Sequence, residues 1–360
     1  MPLDPHIRLF IPGPVDVRPG ILNAQAMPMI GHRSPEYADL QGRIMPKLRR
    51  VFGTAGRVFI VTSSGSGLQE AAVRNCVGHR CLSLVNGAFG QRWHEVALAN
   101  GKQADDLQVP WGTAIRPQQL DDRLRTGNYD TVAVVFNETS TGLVNPIPQL
   151  AEVVCRYPGV LLLVDAVSAA GGTEIRADEW RLDVCLTSSQ KALALPPGLA
   201  LCSVSDQAID RADTVPCRGW YFDFLQYDKY AANNHTPATP AISLMAALDA
   251  QLDAIEDEGW KARFARHRRL MHQVHDWVTD SGFGFFAEAG YRSPTVTAVD
   301  NTRKIDVGAL NAYLRQRGML ISNGYGPLKH KSFRIAHMGD TTEEDISVLL
   351  ETIDSYLAGR

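Results

Sequence analysis

Short, almost wholly apolar runs recur along the first two-thirds of the chain, separated by stretches whose apolar residues fall every three or four positions. RVFIVT (57–62) reads as a β-branched strand and runs through a turn of small residues into the helical LQEAAVRNCV. The strand pattern returns in CLSLVNG (81–87), near Leu107, in TVAVVFN (131–137) and in VLLLVDAV (160–167), then in LDVCLTSS and LALCSVS. Helical periodicity fills the gaps at Gln91–Ala99, Pro117–Leu124 and Pro148–Arg156. Upstream, EYADLQGRIMPKLRRVF is amphipathic and predicts a helix despite Gly42 and Pro46. Strands apolar on both faces need cover on both, so this alternation predicts an α/β fold with a mainly parallel, helix-covered sheet.

The remainder has a different rhythm. A periodic run begins at AISLMAALDAQLDAIEDEG, continues through RFARHRRLMHQVHDWV, and predicts a long helical bridge. Strand-like TVTAVD, MLISNG and SFRIAHMG then alternate with DVGALNAYLRQRG and a closing helix, TEEDISVLLETIDSYL. The expected organisation is a lead segment (1–20), a large domain (21–258) and a smaller C-terminal α+β domain (259–360).

With 360 residues, 45% hydrophobic and 21% charged, the chain has ample material for a core. A formal net charge of -3 gives no electrostatic case for nucleic acid or an anionic membrane. No apolar run approaches the roughly 20 residues of a membrane span, and the N-terminus lacks a signal-peptide layout. The six cysteines form no CxxC pair and the ten histidines no ligand spacing, so neither a disulfide framework nor a metal site is expected. The cytoplasm is the expected compartment.

Two lone charges stand out. VCLTSSQKALALPPGLALCSVS contains one charged residue, Lys191, and YPGVLLLVDAVSAAGGT contains one, Asp165. An unpaired charge among apolar strands is costly. The two either form a buried ion pair or serve a cofactor site. The turn Ser63-Ser64-Gly65-Ser66-Gly67 before a helix is a candidate anion site, because free N–H groups and the helix dipole favour a phosphate there. The dipole supplies only about 0.3–1 kcal/mol, so hydroxyl and amide donors must do most of the holding. Glu70 stands where a dinucleotide fingerprint needs its third glycine, and no GKS or GKT follows. Ser64–Ser66, Phe89, Thr139, Asp165 and Lys191 all fall at or just beyond the carboxyl end of an expected strand, where parallel sheets bind ligands.

The series GHRSPEYADL, SSGSGLQEA, NGAFGQR, ETSTG, LLLVDAVSAAGG, SSQKALALPPG, HTPATPAISL and FRIAHMGD resembles class V aminotransferases of fold type I, within them the alanine–glyoxylate / serine–pyruvate group. The motifs run in family order from Pro12 to about Asp340. The resemblance implies a seven-stranded sheet and pyridoxal 5'-phosphate joined to Lys191. It implies Asp165 beside the pyridine nitrogen, Gln190 and Thr139 against the ring, and Phe89 stacked on it. Ser64, Gly65 and Ser66 would hold the phosphate and Arg334 the substrate carboxylate. Thr239, with Thr236 as the alternative, would reach the cofactor phosphate of a neighbouring subunit in a homodimer. The implied reaction moves an amino group from a small L-amino acid, alanine or serine, to glyoxylate or pyruvate. Relatives acting on ureidoglycine or 2-aminoethylphosphonate, a C–S lyase and a non-catalytic accessory subunit remain alternatives. Against desulfuration, Gln190 precedes the lysine and no cysteine follows Cys217.

Overall fold

The computed structural model describes residues 6–359. Seven strands form the large sheet in the order Arg57–Thr62, Leu199–Val204, Val184–Ser188, Leu161–Asp165, Thr131–Val135, Arg80–Val85 and Gln103–Gln108. Only Leu199–Val204 runs against its neighbours; the other pairings are parallel. The central strands Thr131–Val135, Leu161–Asp165 and Val184–Ser188 are buried at every position, as expected of strands covered on both faces. Separate apolar clusters on the two faces supply that cover, one built around Ile44, Leu82 and Leu248, the other around Phe59, Trp93 and Phe224.

A five-stranded sheet of order Arg8–Phe10, Met319–Asn323, Ser332–Ala336, Val296–Asp300 and Gly284–Phe285 packs against Trp260–Asp280 and Glu343–Ala358 around its own core. Its first strand comes from the segment read as a lead: Arg8–Phe10 pairs parallel to Met319–Asn323. Three residues carry too weak a local pattern to be read as a strand without that distant partner.

The amphipathic stretch after Ser34 is one helix, Pro35–Phe52, with Pro46 inside it. The long bridge is two helices, Ile242–Glu258 and Trp260–Asp280, separated at Gly259. There φ is +83°, a backbone setting that ends a right-handed helix and suits glycine. Among the described residues, no helix is long and apolar enough to cross a membrane.

Candidate active site

Four strands of the large sheet deliver polar residues at their carboxyl ends. Arg57–Thr62 leads through Ser63 to Ser64, which caps the helix Gly65–Cys76 and accepts from the N–H of Gly67 at 3.4 Å. Thr131–Val135 leads to the buried Glu138 and Thr139. Asp165 ends its own strand, and Lys191 follows the strand Val184–Ser188 by three residues. This convergence is the one expected from the sequence.

Lys191 and Asp165 are not paired directly. The lysine Nζ donates to the carbonyl of Pro12, and Asp165 accepts from Gln69 Nε2 at 2.7 Å and from the N–H of Val167 at 2.8 Å. Burial pulls the Lys191 amine down to about 8; Arg334 and Arg92 act in the same direction and Asp165 opposes them. Burial pushes the Asp165 carboxyl up to about 6; Glu138 adds to this, while the Val167 N–H, Gln69 and Lys191 oppose it. An amine with so low a pKa is close to its nucleophilic, neutral form.

The segment Ile11-Pro12-Gly13-Pro14 lies directly on the lysine. A Cβ at Gly13 would come within 2.6 Å of Lys191 Cδ, and φ there is +106°, so glycine is required twice over. Gly65 meets a similar limit, since a Cβ would sit 2.6 Å from Val167 Cγ2. Backbone can therefore approach closely at the helix start, which is what a bound phosphate needs.

The remaining expected residues fall into two groups. Thr139 is buried; its hydroxyl meets that of Ser168 at 2.6 Å, and its carbonyl accepts from Arg334 Nη1 at 3.4 Å. Arg334 is buried on the small sheet. Phe89 is half-buried, with its ring 5.5 Å from that of Tyr325, centroid to centroid. Ser66 is exposed and accepts from Arg92 Nη1 at 3.1 Å. Thr236 is buried with its hydroxyl on the Ala238 carbonyl at 2.7 Å, whereas Thr239 is exposed. Arg33 fixes that loop by donating to the carbonyls of Thr236 and Pro237 at 2.6 and 3.0 Å.

Several participants escape a reading of the sequence. Gln69, Glu138, Arg92, Tyr325 and Pro12 all touch residues of the site, yet each looks ordinary in its local pattern. A crevice of about 1000 Å³, lined by Arg57, Asp183, Asp206 and Arg211 among others, opens at the opposite ends of the strands. Two of its arginines are already paired, Arg57 with Asp228 at 2.6 Å and Arg211 with Asp130 at 3.0 Å.

A mainly parallel seven-stranded sheet with a smaller C-terminal α+β unit, presenting a desolvated lysine and a buried aspartate at its carboxyl edge, is the architecture of fold type I pyridoxal-phosphate enzymes. The chain belongs to the class-V aminotransferase family, whose model matches residues 23–349. An uncharacterized aminotransferase of Methanocaldococcus jannaschii is 37% identical, over 97% of this chain and 92% of its own. The L-aspartate–glyoxylate aminotransferase of Paracoccus denitrificans is 31% identical, over 93% of this chain and 87% of its own. Among solved structures, alanine–glyoxylate aminotransferase from Nostoc superposes with a TM-score of 0.93 at 30% identity, covering 99% of this chain and 97% of that one.

Pyridoxal phosphate is the cofactor of this family, and the residues present fit it. The side-chain oxygens of Gln190 and Ser188 are buried without a partner beside Lys191. Orphaned polar atoms in a buried site point to a missing hydrogen-bonding group.

Proposed function

We propose that the chain is a transaminase moving an amino group from a small L-amino acid to glyoxylate or pyruvate, and that it works as a homodimer. The observation that carries this reading is the buried Arg334, whose Nη1 reaches the Thr139 carbonyl and whose charge meets no carboxylate among the described residues. Such a guanidinium is suited to a substrate carboxylate held bidentately. Ser64, Gly65 and Ser66 at the helix start, with Thr239 from a second subunit, take the cofactor phosphate in this proposal. Thr239 is favoured over Thr236 because the Thr236 hydroxyl is already engaged. Gln190 and Thr139 line the ring, and Phe89 covers its face.

When bound, pyridoxal phosphate supplies an electrophilic aldehyde and a ring that takes up negative charge from the substrate α-carbon. Asp165 would hold the proton on the ring nitrogen. The Lys191 amine would take the proton from the substrate α-carbon and return it. Arg334 fixes the substrate carboxylate and so orients the bond to be broken. Thr139 and Phe89 limit solvent on either side.

The test is spectroscopic. Adding an amino donor without an acceptor should bleach the yellow of the lysine-bound cofactor, and glyoxylate or pyruvate should restore it. No response to any amino acid would defeat the reading, and release of sulfide from cysteine would replace it with carbon–sulfur cleavage.

A further inference from the structure

Among the described residues, Gln69 is the one side chain that donates to the Asp165 carboxylate: its Nε2 meets Oδ2 at 2.7 Å. The other bond comes from the main chain, where the N–H of Val167 meets Oδ1 at 2.8 Å. Gln69 is 1% exposed and lies on the helix Gly65–Cys76, beside the buried Leu68, Ala72 and Val73. An amide in such company is costly unless both its ends are hydrogen-bonded. Here only one end is, because Oε1 is buried without a partner. The side chain is thus turned to serve the aspartate and leaves its own acceptor unused.

Gly65 and Gln69 are four residues apart and share one face of the helix. The close approach of Gly65 to Val167 brings that face onto the segment after Asp165, and one turn later Gln69 reaches the carboxylate. Lys191 does not fill this place, since its Nζ donates to the Pro12 carbonyl. The charged groups facing Asp165 are Lys191, beyond the strand Val184–Ser188, and Glu138, beyond Thr131–Val135; the Cys185 thiol lies on the first of these strands. Ionisation of Asp165 is therefore opposed by burial and by a second buried carboxyl. Hydrogen-bond donors offset that opposition, because a bond to a carboxylate is about twice as strong as one between neutral groups.

We infer that Gln69 is a positioning residue whose amide holds Asp165 in its ionised form, so that the helix assigned to the cofactor phosphate at its start also governs, one turn on, the protonation of the cofactor's ring nitrogen. This rests on the transaminase reading for the cofactor; the hold of Gln69 on Asp165 is a property of the chain without it. The amide acts only through the aspartate and touches no reacting atom.

The experiment follows the Asp165 carboxyl by carbon NMR in the full-length apoprotein, the signal being assigned by its loss in Asp165→Asn. Gln69→Met keeps the length of the side chain, suits its apolar neighbours and removes the donor. Asp165 should bind its proton about tenfold more tightly in that variant than in wild type. Gln69→Leu should give the same result and carries the comparison if the methionine variant does not fold. In holoenzyme loaded with cofactor labelled at the ring nitrogen, the nitrogen signal of Gln69→Met should move towards that of neutral pyridine at constant pH, because a more basic Asp165 draws the shared proton to its own oxygen. The cofactor should stay bound on dialysis. A proton affinity of Asp165 that is unchanged or lowered in both variants would overturn the inference, as would a ring-nitrogen signal that does not move. The apoprotein titration needs neither cofactor nor turnover, so its failure is distinct from a failure of transamination, which the bleaching response reports.

Discussion

The buried carboxylate of Glu138 accepts hydrogen bonds from the backbone N–H groups of Phe89 and Gly90, at 2.9 and 3.0 Å, and so fixes the start of the helix that presents Phe89. Its other oxygen takes the N–H of Ser140 at 3.1 Å. One side chain thus joins the turn bearing Thr139 to the helix bearing Phe89 and Arg92. Burial raises its pKa, against the pull of these donors.

Replacing Glu138 with glutamine should therefore destabilise the protein although the shape is kept. The amide nitrogen would point a donor at other donors, leaving buried N–H groups unpaired at a cost of about 1–3 kcal/mol. Urea denaturation of wild type and Glu138→Gln checks this; equal midpoints would show that these bonds contribute nothing net. Glu138→Ala should cost more, because it also opens a cavity.

A second prediction concerns the lysine. Its amine is held near 8 rather than at the ordinary lysine value. The neutral form is the nucleophile, and its fraction grows as pH rises through the pKa. Uptake of pyridoxal phosphate by the apoprotein should accelerate with pH to a plateau above about 8, and fall roughly tenfold for each unit below it. Stopped-flow absorbance checks the profile. Lys191→Ala should show no such absorbance at any pH, and a midpoint near the ordinary lysine value would mean that burial and the two arginines do not act on this amine.

The legibility of this site follows from chemistry. Lys191 and Asp165 were visible because each is the only charge in a long apolar stretch, and an isolated charge there demands a reason. Glu138 was hidden because ETSTG reads as a polar turn, and only the fold reveals that its carboxylate points inward. Gln69 and Arg92 occupy helical positions where polar residues usually meet water. Pro12 and Tyr325 reach the site from opposite ends of the chain, so no local window connects them to it. The same limit explains the strand Arg8–Phe10, which exists through pairing with residues more than 300 positions away. The break at Gly259 was masked by helical periodicity continuing on both sides of it.

Asp165 allows a prediction in which the sign matters. Its carboxyl titrates at about 6 in the fold, above the ordinary aspartate value. Between those two values the unfolded chain is ionised while the folded one retains its proton. Ionisation therefore favours unfolding, and this group's contribution is most favourable below about pH 4 and worsens until pH passes about 6. The apoprotein of Asp165→Asn should escape that penalty, because the Gln69 amide can turn its unpartnered Oε1 towards the new donor, and should be more stable than wild type near neutral pH by on the order of 3 kcal/mol at most, with the gap closing in acid. Denaturation curves at both ends of the range check it; a gap that widens in acid would reverse the assignment. With cofactor bound, the same variant should keep much of the yellow colour and lose most turnover, because an amide cannot hold the ring nitrogen's proton. Full activity would remove Asp165 from the mechanism.

Arg263 supports the lysine turn from behind. It is fully buried and donates to the Gly171 carbonyl at 2.9 Å, the Ala192 carbonyl at 2.7 Å, Glu258 at 2.8 Å and Asp340 at 3.0 Å. Gly171 follows the Asp165 strand, and Ala192 follows Lys191, so a residue of the helix Trp260–Asp280 clamps the segments after both residues. Arg263→Met fills much of the same volume yet leaves the two carbonyls without this donor, while Asp340 keeps Arg18 at 2.7 Å and Glu258 keeps Arg266 at 2.7 Å. Leaving a buried carbonyl without its donor costs about 1–3 kcal/mol, and the lysine turn loses an anchor as well. Two effects should appear together: a drop of that size in urea stability and weaker retention of pyridoxal phosphate on dialysis. Glu258→Gln should produce a smaller drop, because Glu258 is less buried and Asp340 still faces the guanidinium. If Arg263→Met lowered stability while cofactor retention held, the clamp would be a strut of the fold with no bearing on where Lys191 stands.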